Sequence, residues 1–323
     1  MAGWLTLGLG ASLAVTALRG NAEFGSAMAL GIVLTAVPSL PVAFRPALVT
    51  IAVRGATVLA GALTVVLCAG HPLLLAVATV GAAMAGAMIQ RIGATAGLAV
   101  ILVAVHSDGG PVSVVIPYPY LLGVAVVLLA WLAWFGCACA IRTARRRPAE
   151  STVPVGSGAG RGADYAHAVR VGVAVGVAVA LAALLPRDMV GGHWLVTSVL
   201  LTIQPGQYDT GVRLVQRISG NTVGALIAAA VLGAHPAAPV VVTVTVVLFL
   251  LAMALRPVNY TWWAVTGPPV LLMISEYPQL FPWYEGGVRL AMNVGGAVIV
   301  LAVVFVVPAL SRCTAVAQIT DRD

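Results

Sequence analysis

The sequence predicts an all-α polytopic membrane protein: about twelve transmembrane helices in two parallel six-helix repeats, with short second and fifth helices in each half. Three observations predict it. The first is composition. Of 323 residues, 61% are hydrophobic and 8% charged, and the mean hydropathy is +1.04. Soluble domains carry roughly 25% charged residues, so the polar surface is too small to coat a soluble particle of this size, and the same numbers exclude disorder. The second is pattern. Apolar runs such as 47–69 and 240–255 are long and unalternated, whereas a transmembrane barrel needs ~10-residue alternating segments. The third is the recurrence of short motifs at an offset of 163 to 167 residues.

Breaks at Pro, Gly and charged residues divide the chain into twelve spans. The first, 3–18, follows a start with no basic segment and no small-residue cleavage site, so it reads as a span and not a signal peptide. The second, 24–38, is stopped by Pro38 and Pro41; the third, 47–69, and fourth, 72–89, are parted by Gly70 and His71. Arg91 precedes the fifth, 92–106, and the sixth, 118–141, ends at Arg142. The seventh, 166–185, ends at Pro186, and the eighth, 191–204, at Pro205-Gly206. The ninth, 212–233, and tenth, 238–255, flank His235-Pro236. The eleventh, 259–274, is interrupted by Gly267-Pro268-Pro269, and the twelfth covers 286–308.

All 17 basic residues are arginine. With the amino terminus inside, only Arg19, Arg187 and Arg289 fall on the outer side. That bias follows the positive-inside rule and places both termini in the cytosol of a plasma-membrane (inner-membrane) protein. It also explains the net charge of +7 without nucleic acid; the partners expected are the bilayer, a small organic anion and further copies of the chain in a homo-oligomer. The run Arg145–Arg147 reads as a topology anchor. Cys68, Cys137, Cys139 and Cys313 read as small buried apolar residues, not a metal site or disulfide framework.

The organisation expected is a first membrane repeat over 1–141, a cytosolic Arg/Gly/Pro linker over 142–165, a second repeat over 166–311 and a tail over 312–323. Arg54 and Gly61 match Arg217 and Gly224 at an offset of 163, His71-Pro72 matches His235-Pro236 at 164, and Leu34-Thr35-x-x-Pro38 matches Leu201-Thr202-x-x-Pro205 at 167. Six spans per half make the repeats parallel, related by an axis along the membrane normal.

Short or Pro/Gly-interrupted spans at matching positions of two halves point to a transport site, because their exposed helix ends are tolerated only against water or protein. Around them gather the candidate substrate-binding residues. Trp194, Thr197, Ser198 and Gln204 lie on the eighth span, Arg213 and Arg217 on the ninth, and Trp263 and Thr266 on the eleventh. Arg54 is the counterpart of Arg217, and Arg289 with Asn293 lies inside the twelfth. Arginine forks hold carboxylates bidentately, although arginines near span ends also snorkel and Trp near span ends also forms interface belts. Proton-coupling candidates are His193, Asp209 and Glu285, all near span ends. Gly220, Gly224 and Gly61 read as helix-packing positions. No cofactor, metal or enzyme pattern is present in a sensible context.

The stretch His193-Trp-Leu-Val-Thr-Ser-Val-Leu-Leu-Thr-Ile-Gln-Pro205, followed by Arg213-x-x-x-Arg217-x-x-Gly220-Asn-x-x-Gly224-Ala225, resembles the fusaric acid resistance / aromatic acid exporter family. Asn221 takes the family's usual Thr position, and in the first half Ala27 or a neighbour aligns with Trp194 and Thr57 with Gly220. The resemblance implies an efflux transporter for aromatic or other hydrophobic carboxylic acids, driven by the proton gradient. Two alternatives stand beside it. A passive organic-anion channel or uniporter fits the distant similarity of the family to plant aluminium-activated malate transporters, and a membrane scaffold would have no solute path.

Overall fold

The computed structural model describes residues 1–37, 39–89, 91–107, 116–145, 161–185, 191–234, 237–256, 258–276 and 285–308. Among them the chain forms twelve α-helices: α1 (Ala2–Leu18), α2 (Ala22–Ala36), α3 (Phe44–Leu67), α4 (Pro72–Met88), α5 (Thr95–Ser107), α6 (Pro117–Arg145), α7 (Arg161–Ala183), α8 (Gly192–Thr202), α9 (Gln207–Gly233), α10 (Ala238–Leu255), α11 (Tyr260–Glu276) and α12 (Glu285–Leu301). Ala302–Val306 continues α12 as a π-helical turn. The chain is a multi-pass helical membrane protein. Four helices are long and apolar enough by themselves to cross a bilayer, over Phe44–Leu67, Pro117–Ala140, Tyr165–Ala183 and Gly287–Val306. Leu7, Leu73, Val77 and Leu226 are exposed, as side chains that face acyl chains must be. Cys137, expected to be buried, is exposed on α6 in the same way.

Helix boundaries follow local chemistry. Pro72 opens α4 at its first turn, where the missing N–H costs nothing. Gly93, at φ 54°, turns the chain before α5. Thr210 organises the start of α9: its hydroxyl accepts from the Gln204 N–H at 3.0 Å and donates to the Gly206 carbonyl at 2.8 Å. The helix consequently begins at Gln207, five residues earlier than the apolar pattern indicates. The π turn widens α12, and the Val304 carbonyl there accepts from Gln207 Nε2 at 2.9 Å. Helix enters both ends of the expected linker, since α6 runs to Arg145 and α7 starts at Arg161; 146–160 and the tail 312–323 lie outside the described residues.

One expectation is corrected. The eleventh span is not broken at Gly267-Pro268-Pro269, because α11 carries Pro268 and Pro269 inside a continuous helix. Pro269 supplies no N–H to the Val265 carbonyl one turn earlier. That carbonyl faces Gly224 of α9, where an added Cβ would stand 2.5 Å from its oxygen. The missing side chain lets α9 close over the unpaired backbone group. Gly220 and Gly61 make similar approaches: a Cβ at Gly220 would meet the Ala264 Cβ at 2.5 Å, and one at Gly61 the Ala99 Cβ at 2.7 Å. Small residues at such crossings bring helix backbones together where no hydrophobic force between helices operates.

The helix contacts are nearly unchanged when each helix is exchanged with the one six places on. α3 packs on α5 as α9 does on α11, α2 on α6 as α8 on α12, α1 on α2 as α7 on α8, and α4 on α5 as α10 on α11. The contacts between halves obey the same exchange: α4 with α7 as α10 with α1, and α2 with α11 as α8 with α5. The cores interlock accordingly. Phe249, Trp263 and Ile274 join the first half's apolar cluster, and Ala83 and Ile101 join the second's. Two contacts depart: α2 packs against α5 and α3 against α4, whereas α8 and α11, and α9 and α10, scarcely meet.

Candidate functional site

Helices α2, α5, α8 and α11 converge between the halves and, with α4 and α7, line a cavity of about 340 Å³; α2, α5 and α8 are short as expected, whereas α11, at 17 residues, is as long as α1, α4 and α12. Its walls are largely aliphatic, including Val33, Leu98, Val171 and Leu200. Three guanidinium groups reach it, Arg54 from α3, Arg213 from α9 and Arg256 from the end of α10, together with His167, Gln204, Tyr260 and Trp263. No carboxylate stands among the described lining residues. Arg54 is 5% exposed, donates from NH1 to the Thr35 carbonyl at 3.1 Å and leaves its Nε without a partner. Arg213 lies over the Tyr260 ring, 3.6 Å from its centroid, and Arg256 lies 5.0 Å from that of Trp263. Each cation is thereby held on a negative π face.

A second, much smaller cavity of about 20 Å³ occupies the gap between α8 and α11. Trp194, Thr197, Arg217, Asn221, Arg289 and Asn293 line it. Asn293 is its hub. Its Oδ1 accepts from Asn221 Nδ2 at 2.6 Å and from Arg217 NH2 at 3.4 Å, and its Nδ2 donates to the Arg289 carbonyl at 2.8 Å. Arg289 sits 3.4 Å above the Trp194 ring. Leu201, Trp263 and Leu271 line both cavities and so form the partition between them. Tyr260 bridges the partition, with its ring under Arg213 and its hydroxyl accepting from Arg217 NH1 at 3.3 Å. Arg213 and Arg217 are one turn apart, ~6 Å along the helix axis.

Most of the residues marked by the sequence meet here. Arg54, Gln204, Arg213 and Trp263 line the large cavity. Trp194, Thr197, Arg217, Arg289, Asn293 and again Trp263 line the small one. Ser198 lies behind the wall and donates to the Asn293 carbonyl at 3.3 Å. Thr266 donates back to the Trp262 carbonyl at 2.6 Å and reaches neither cavity. The His193 ring lies 4.5 Å from that of Trp194, tilted by 48°, and lines neither cavity, and Asp209 is exposed in the first turn of α9. The side chain of Glu285 lies outside the described residues. Sequence reasoning missed Arg256, His167 and Asn221. Arg256 caps α10 and Tyr260 opens α11, so helical spacing does not relate them and Arg256 carried no signal of that kind. His167 and Asn221 carried none, because their neighbours come from distant segments.

In the first half, where the expected repeat aligns Ala27 or a neighbour with Trp194, α2 packs on α5, and Gly31 and Gly123 bring α2 and α6 into backbone contact. In comparison with known proteins, the family model described as fusaric acid resistance protein-like matches residues 177–303. No curated protein and no solved structure matches the chain. Residues 177–303, which carry α8, α9, α11 and the Asn293 hub, are similar to fusaric acid resistance protein-like proteins.

Proposed function

We propose that the chain is an inner-membrane efflux transporter that exports aromatic or other hydrophobic carboxylic acids, driven by the proton gradient. The observation that carries this reading is the arginine-lined cavity of about 340 Å³ between the halves. Its aliphatic walls suit a hydrophobic ring, and its guanidinium groups suit a carboxylate. The fusaric acid resistance protein-like match supports transport over catalysis. The exchange of helix contacts supports a tandem duplication into two parallel six-helix repeats. With both chain ends in the cytosol, the large cavity lies at the cytosolic side and the small one near the outer ends of α8 and α12. A solute crosses between them past Leu201, Trp263 and Leu271. Rocking of one half against the other opens that partition. Coupling to protons falls to His167, the imidazole beside Arg54, Arg213, Arg256 and Tyr260 in the large cavity.

A second reading, passive anion conduction, is favoured by the same lining. It holds three arginines and no described carboxylate, and an inside-negative potential already drives an anion outward by about 2.3 kcal/mol per charge per 100 mV. A scaffold without a solute path predicts an axis packed with aliphatic side chains, where the arginine-lined cavity stands instead. Uptake of aromatic carboxylates into everted vesicles, with and without an imposed proton gradient, separates the readings. Saturable uptake that collapses with the gradient is expected. Uptake that follows voltage alone overturns proton coupling, and no uptake of any acid overturns transport.

A further inference from the structure

We infer that the occupant of the large cavity carries at least two anionic groups on one aromatic frame, so that a simple aromatic monocarboxylate is a poor ligand. The inference rests on the transport reading and deepens it. Three guanidinium groups enter one cavity, and Arg54 and Arg213 both stand near enough to Arg256 to repel it electrostatically. The described residues make no ion pair with any of the three, and the polar partners they do have are neutral: the Thr35 carbonyl for Arg54, the Tyr260 ring for Arg213 and the Trp263 ring for Arg256. Arg54 is nine-tenths buried with its Nε unpartnered, and NH1 of Arg256 is buried without a partner. Concentrated like charge in a low-dielectric cavity is unfavourable until an opposite charge enters. One carboxylate satisfies one fork and leaves the repulsion among the others. Two carboxylates, or one phosphate or sulfate ester with a carboxylate, engage two or three forks at once.

The frame is aromatic because the cavity is lined by Tyr260 and Trp263, and the arginines seated on them offer further stacking surface. Anionic lipid headgroups share the charge but not the ring. The cavity's place among α2, α5, α8 and α11, between the halves, also favours a soluble ligand over a lipid on the outer surface.

The test is binding to the purified full chain in nanodiscs of zwitterionic lipid, titrated with benzoate, benzene-1,3-dicarboxylate and benzene-1,3,5-tricarboxylate. The diacid is expected to bind about 10- to 100-fold more tightly than benzoate, the gain of one charge-assisted pair, and to lose most of that advantage in high salt. Arg256→Gln is expected to weaken the diacid about tenfold more than it weakens benzoate. Equal affinity for mono- and diacid in the wild-type protein overturns the inference, and needs no variant to fold. Displacement of the diacid by cardiolipin, but not by excess tricarboxylate, also overturns it in favour of a lipid site. Flux in everted vesicles is read separately. Benzoate that binds as well as the diacid and is exported refutes the charge requirement alone, whereas absence of both binding and flux for every acid refutes transport.

Discussion

Tyr260 offers a sharp test of how the two cavities communicate. Its hydroxyl accepts from Arg217 NH1 at 3.3 Å, while its ring carries Arg213 at 3.6 Å. Tyr260→Phe removes the first contact and keeps the second. A hydrogen bond to a charged group contributes about 1.5–3 kcal/mol, and the 3.3 Å contact is just longer than the usual N–H···O range, which sets it at the weak end. The expected loss is therefore about 1.5 kcal/mol. Tyr260→Ala adds the lost cation–π contact, about 1 kcal/mol, and the void left by the ring, for a total of about 4 kcal/mol. The measurement is a double-mutant cycle with Arg217→Gln, read by equilibrium unfolding in detergent. The coupling energy between Tyr260→Phe and Arg217→Gln should be about 1–1.5 kcal/mol, because Arg217→Gln already deletes the donor. Additivity within about 0.5 kcal/mol, the scatter for independent sites, would refute the bridge and with it the linkage between the cavities. Equal effects of Tyr260→Phe and Tyr260→Ala would refute the role of the ring.

Further outcomes follow from the same geometry. Arg217→Ala should abolish flux while the protein remains in the membrane at normal abundance, checked by blotting membrane fractions beside the vesicle assay. Gly224→Ala should destabilise by about 2–3 kcal/mol, since its Cβ meets the rigid Val265 carbonyl at 2.5 Å and the Pro269 ring at 3.2 Å. Gly176→Ala, whose nearest neighbour is Val80 at 4.0 Å, should instead stabilise by up to about 1 kcal/mol through helix propensity; unfolding of the pair in parallel tests the sign difference. Leu201→Trp thickens the partition, and should stop flux while benzene-1,3-dicarboxylate still binds the large cavity. Normal flux in that variant would place the path elsewhere.

Much of the architecture was legible because membrane helices punctuate themselves. Prolines, glycines and arginines mark the ends of apolar runs, and the twelve expected spans lie within a few residues of the helices found. The short α2, α5 and α8 were legible for the same reason, and they line the cavity together with α11, which is not short. The error at α11 has a local cause. Pro268 and Pro269 break a helix when the freed carbonyls have nothing to face, and only the tertiary approach of Gly224 shows that the Val265 carbonyl is covered. Arg256 reads as an ordinary topology arginine until the cavity shows where its side chain goes. His193 and Asp209 were reasonable by type, since polar groups near span ends are candidates for proton transfer. Chain position alone did not reveal that one backs onto Trp194 and the other faces out. His167 was invisible because its significance depends on α4 and α7 packing together.

The gap between α8 and α11, which α2 and α5 do not share, fixes how many places a solute can occupy. Two halves with like helix contacts invite the expectation of two equivalent routes. Here α2 packs directly on α5, whereas a cavity of about 20 Å³ remains between α8 and α11. A titration on the proposed site should accordingly saturate at one ligand per chain, with no cooperativity within it. The small cavity is lined wholly from the matched segment 177–303, whereas the large one draws Val33, Arg54 and Leu98 from the first half, so neither half stands outside the chemistry of the site.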